Sequence, residues 1–170
     1  MGDPYFQAKA ELEANQVFIY SICYPLYADV SRRVMCCLRQ AVPDMEVYSI
    51  DEAFLDLHGM ERYLVESLDV FARNLREKVR RRTGIPTCVG IAPTKTLAKL
   101  ANRIAKKQPA LGGVLHLDTD ERQQWALEQV GVGDVWGVGQ QYAAKLSASS
   151  RQQTWPAAQT PGRGSIWAAL

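Results

Sequence analysis

The sequence predicts an α+β fold, a ferredoxin-like (split βαβ) layer that lacks its first strand. Three observations predict it. Apolar residues form stripes at helical spacing, and these alternate with short runs rich in β-branched and aromatic residues. Those runs are too short for helices. Their order along the chain, α-β-β-α-β-α-β without a repeat, becomes a β-α-β-β-α-β unit once one strand is placed ahead of the first long helix.

Each element has its own reason. Gln7-Ala8-Lys9-Ala10-Glu11-Leu12-Glu13 is rich in helix formers, and a β-rich run, Val17-Phe18-Ile19-Tyr20, follows. Leu26, Val30, Val34, Cys37, Leu38 and Ala41 mark one face of an amphipathic helix that Pro43 stops. Residues 46–50 and 53–57 read as strands. A second helix carries Leu64, Leu68, Phe71, Leu75 and Val79 inward and ends at Thr83-Gly84. A strand over 87–91 leads through Pro93, suited to a first helical turn, into a third helix with Leu97, Leu100 and Ile104 inward. Gly112-Gly113 opens a strand over 114–117, and short helices are expected over 122–129 and 140–146. The helices are expected on one face of the layer.

At 170 residues, 47% hydrophobic and 22% charged, the chain has the composition of one ordinary globular domain. No apolar run approaches the ~18 to 20 residues of a membrane helix. Met1-Gly2-Asp3-Pro4 opens no basic-then-apolar signal and Phe6 breaks the myristoylation pattern, so a soluble cytoplasmic protein is expected. Cys23, Cys36, Cys37 and Cys88 form no C-x-x-C pair, and His58 and His116 are the only histidines. Free thiols are expected, without a zinc site.

The net charge of +2 conceals opposed blocks. Residues 1–60 hold four Lys/Arg against nine Asp/Glu, whereas residues 61–110 hold twelve against four. Such a basic block suits a polyanion such as phosphate or nucleic acid, or else a solvated helix face.

Three places could carry chemistry. In Tyr48-Ser49-Ile50-Asp51-Glu52-Ala53-Phe54 two adjacent carboxylates interrupt a β-forming run. On one continuous strand Asp51 and Glu52 would point to opposite faces, and one would enter the core unpaired at a cost of several kcal/mol. A hairpin with both acids near its tip avoids this and sets hard oxygen ligands at one end of the sheet, as Mg²⁺ requires; an ordinary acidic turn is the other reading. On the third helix Lys95, Lys99, Arg103 and Lys106 form a basic stripe, with Lys95 in the first turn where the helix dipole favours an anion. The stripe is either a phosphate site or a solvated face. Lastly, Gly131-Val132-Gly133 and Gly137-Val138-Gly139 expose backbone N–H groups that suit a phosphate, or form a plain interhelical turn.

Taken together, these words resemble the Y-family translesion DNA polymerases, most closely the UmuC type, the catalytic subunit of DNA polymerase V. Tyr48-Ser49-Ile50-Asp51-Glu52-Ala53-Phe54 and Val89-Gly90-Ile91-Ala92-Pro93-Thr94-Lys95-Thr96-Leu97-Ala98-Lys99 carry the resemblance, and Asp134-Val135-Trp136-Gly137-Val138-Gly139 adds the thumb turn. The resemblance implies a remnant of the fingers over 1–22, a palm over 23–117, a partial thumb over 118–146 and a divergent, disordered tail over 147–170. It implies Asp51 and Glu52 as catalytic Mg²⁺ ligands of a two-metal site, Lys95 on the incoming triphosphate, and Gly137, Gly139, Lys99 and Arg103 on the DNA backbone. A damaged primer-template with dNTP, a UmuD′-type subunit and RecA are the implied partners, and error-prone synthesis in the SOS response the implied role. The family's earlier strand, bearing a further metal-binding Asp, falls before Met1. A fragment not competent alone, with open strand edges, is therefore expected. Two other readings are a non-catalytic DNA-binding module and another two-metal palm enzyme such as a nucleotide cyclase, against which the Lys95 helix and the Gly turn argue.

Overall fold

The computed structural model describes residues 4–148 and 165–170. In chain order these are α1 (Tyr5–Ala14), α2 (Tyr24–Arg39), β1 (Asp44–Val47), β2 (Ala53–Asp56), α3 (Leu68–Thr83), β3 (Val89–Ala92), α4 (Lys95–Lys107), β4 (Val114–His116), α5 (Asp120–Glu128), α6 (Gln140–Ala148) and β5 (Trp167–Ala169). Short 3-10 turns interrupt the connections. The run Val17-Phe18-Ile19-Tyr20 forms no strand. Among the described residues no helix is long and apolar enough to cross a membrane.

The helix starts follow local chemistry. Ser67 caps α3 by accepting from the Val70 amide, and Gly84 closes it in the left-handed region at φ 76°. Thr94, not Pro93, begins α4: its hydroxyl accepts from the Leu97 amide, so the proline lies outside the first turn. Thr119 does the same for α5.

The sheet runs β1-β2-β5-β3-β4. β1 and β2 are an antiparallel hairpin in the register Val47↔Ala53, and β3 and β4 are parallel. Helices cover both faces, contrary to the one-faced layer expected. Leu55, Val89, Ile91 and Ala168 pack into one core with α2 and α3. Phe54, Ala92 and Ala169 pack into a second core with α4 and α5. The reason is visible in the strands: all of β3 is buried, so both of its faces need an apolar cover. Gly90 lets α4 approach closely, because a Cβ there would lie 2.1 Å from the Asn102 amide nitrogen.

The tail departs most from expectation. Residues 149–164 lie outside the described residues, but β5 is a central strand rather than part of a disordered terminus. It pairs antiparallel with β2 (Leu55↔Ala168) and with β3 (Ile91↔Ala168), filling the gap where an unpaired edge was expected. Ala168 and Ala169 are small enough to lie between two covered faces, and both are buried. The Asn102 side-chain amide clamps the seat, donating to the carbonyls of Cys88 at 2.7 Å and Ala169 at 3.0 Å. Averaged over its Ser, Gln, Pro and Gly residues, the tail conceals this short strand.

Candidate functional site

Asp51 and Glu52 lie in the β1–β2 connection, at one end of the sheet. The turn is closed by the Tyr48 and Ser49 amides, which donate to the Glu52 carbonyl at 3.0 and 3.1 Å. Both carboxylates therefore stay out of the ladder, as an acid pair in a β-forming run requires. Each has a partner. The Ser49 hydroxyl donates to Asp51 Oδ1 at 2.7 Å. Glu52 Oε1 takes an ion pair from Lys99 Nζ, reaching across from the second turn of α4.

The basic stripe of α4 is present, but three of its four cations are engaged. Lys95 pairs with Glu46 of β1, Lys99 with Glu52, and Arg103 with Asp134. The Lys95 ammonium also lies 4.4 Å from the Trp167 ring centre and 5.3 Å from that of Phe54. Lys99, not Lys95, is thus the cation beside the acid pair. Arg103 joins α4 to the turn that holds Asp134.

That turn is held by aromatic rings as well. Trp136 stands edge-on to Tyr48, with centroids 5.4 Å apart, and 5.6 Å from Phe54. Gly137 has φ 90°, a conformation that a side chain would strain, while Gly139 borders open space. The glycines are therefore positioned beside the hairpin that carries the acids. Asp134 and Trp136 stood in the thumb-turn words, but their partners were not legible, nor were the roles of Glu46 and Asn102. Their partners lie tens of residues away, and no spacing rule connects them; the aromatics flanking Asp51-Glu52 were the only hint.

Asp51 and Glu52 offer hard oxygen donors, the type that Mg²⁺ takes, but among the described residues no cluster of three or more His, Cys, Asp or Glu forms a metal site. The two acids line one cavity of about 550 Å³, where Glu52 is paired with Lys99.

Comparison with known proteins extends the same geometry. The impB/mucB/samB family pattern matches residues 1–103. Protein UmuC of Salmonella typhimurium is 45% identical over 163 residues, covering 91% of this chain and 38% of the relative. DNA polymerase IV of Brucella melitensis biotype 1 is 36% identical over 124 residues, covering 72% of this chain and 26% of the relative. The structure titled insertion ternary complex of Dbh DNA polymerase matches with a TM-score of 0.71 at 26% identity, covering 86% of this chain and 41% of that one. The chain spans 38% of the UmuC relative's length. On this similarity of sequence and fold, the chain belongs to the impB/mucB/samB family, the UmuC type of Y-family polymerase.

Proposed function

We propose that this chain is the palm portion of a translesion DNA polymerase, in which Asp51 and Glu52 bind Mg²⁺ for nucleotidyl transfer to a primer 3′-hydroxyl. One observation carries the reading: Asp51 and Glu52 lie side by side at a sheet end, with Glu52 on a lysine of α4, in a fold similar to that of a DNA polymerase. Bound there, Mg²⁺ would supply charge for the triphosphate and the attacking oxygen. The residues of the chain do the rest. Asp51 and Glu52 would hold the ion, and Lys99, paired with Glu52 here, would be free to meet phosphate once Glu52 served the ion. Lys95, in the first turn of α4, remains the proposed triphosphate contact, and its pair with Glu46 would have to open in the same way. Gly137 and Gly139 offer backbone amides to the DNA.

With two carboxylates at this end, the palm does not turn over by itself in this reading. Damaged primer-template and dNTP are the substrates, the SOS response is the setting, and a UmuD′-type subunit and RecA are the partners in the cytoplasm. The Glu52–Lys99 ion pair favours a second reading, a DNA-binding module whose acids are idle.

Mn²⁺ titration followed by electron paramagnetic resonance separates the two. The proposed site binds Mn²⁺ weakly, and Asp51→Asn or Glu52→Gln abolishes binding. A parent chain that takes up no Mn²⁺ overturns the metal site and leaves the DNA-binding module. Primer extension by the unaltered chain is expected to be absent.

A further inference from the structure

We propose that the outer flank of α3 is a second nucleic-acid contact, holding a phosphate backbone on the side of the sheet away from α4. It goes beyond the palm reading and rests on it in one respect, the choice of DNA as the polyanion.

The charge of the basic block divides unequally between the two faces. On α4, Lys95, Lys99 and Arg103 each have a carboxylate partner, and only Lys106 and Lys107 at its end have none among the described residues. On α3, Leu68, Ala72, Leu75 and Val79 face the sheet, so the cations of this helix fall on its remaining surface. Among the described residues Arg73, Lys78 and Arg82 have no carboxylate within ion-pair distance. Asn74, Glu77, Lys78, Arg81 and Arg82 line a shallow groove of about 270 Å³ along this flank.

The groove sets three cations, Lys78, Arg81 and Arg82, against one acid. Glu77, the single acid in it, is tied to Arg80 and Arg81, whose hydrogen bonds hold its carboxyl down at about 2. It therefore does not draw on Lys78 or Arg82. The Arg82 guanidinium is oriented by Gln40 at the end of α2, donating to its Oε1 at 2.7 Å. From Asn74 to Arg82 the helix advances about 12 Å at 1.5 Å per residue. That length matches roughly three phosphates of one strand at 3.4 Å of axial rise each.

Two alternatives fit less well. The run Arg80-Arg81-Arg82 complements the helix dipole in the last turn, but Lys78 of the groove lies before that turn. A membrane surface would need apolar side chains among the cations, and Val70 is the only large exposed one on α3.

Fluorescence anisotropy of a labelled primer-template duplex, measured from about 50 to 200 mM salt, tests the proposal. The variant Lys78→Gln/Arg82→Gln removes charge at a half-buried and an exposed position, neither of them in the core. It is expected to bind DNA at least several-fold more weakly, with the slope of log K against log salt reduced by about 2. Its Mn²⁺ binding at Asp51 and Glu52 is expected to stay at the parent's value. Unchanged DNA affinity and slope in this variant overturn the α3 contact and leave the palm reading standing. Loss of Mn²⁺ binding in the parent, with the salt effect intact, overturns the metal site and leaves the α3 contact standing. A parent that captures polyglutamate but not DNA overturns the proposed occupant.

Discussion

Lys99 Nζ meets Glu52 Oε1 across 47 residues of sequence, joining α4 to the turn of the β1–β2 hairpin. The pair is largely shielded, the lysine side chain being 17% and the glutamate 33% exposed. It holds the acid that a divalent cation would need.

Removing the lysine therefore helps the ion. Lys99→Met keeps the length of the side chain and removes its charge, so Mn²⁺ affinity is expected to rise about 3- to 10-fold, the scale of one ion pair of about 1 kcal/mol. Titration of the variant beside the parent checks it; an unchanged or lower affinity shows that Lys99 does not compete with the ion.

The central position of β5 makes the tail a structural element. Ala168 is buried between β2 and β3, so Ala168→Asp places an unpaired charge in the core at a cost of several kcal/mol. A collapsed or absent thermal transition is expected, followed by circular dichroism. Ser165→Asp, on an exposed residue just before the strand, is the control and should leave the transition within about 0.5 kcal/mol of the parent.

Gly90 is a packing requirement. An added methyl would lie 2.1 Å from the Asn102 amide nitrogen and 2.2 Å from the Ala98 carbonyl oxygen, both backbone atoms of α4. Gly90→Ala must push the helix off the sheet, and about 3 kcal/mol of destabilisation is expected. In a chain of this size the melting temperature falls by roughly 6 to 12 °C. A variant that melts with the parent would show that α4 can yield.

Acid titration reads the Glu77 cluster. Its carboxyl is lowered from 4.5 to about 2 by Arg80 and Arg81. A depressed carboxyl contributes stability that is present above its unfolded value and lost as pH falls through the folded one. The contribution therefore fades between about 4.5 and about 2. Glu77→Gln should flatten the pH dependence of stability in that window and leave its slope near neutrality unchanged. Carboxyl resonances followed by NMR locate the midpoint.

Periodicity alone located α2, α3 and α4, because Leu68, Leu75 and Val79, or Leu97, Leu100 and Ile104, must share one buried side. The cost of burying Asp51 or Glu52 fixed the hairpin turn without any partner being known. Those determinations are local, and local physics is written in neighbouring residues. Tertiary structure alone decided what is nonlocal: which acid each lysine meets, the second layer of helices on the sheet, and the seating of Trp167-Ala168-Ala169 at its centre. A strand of three residues, two of them alanines, has little propensity of its own. Its place is set by an open ladder on each side, small side chains that fit between two cores, and the Asn102 amide that holds its carbonyl.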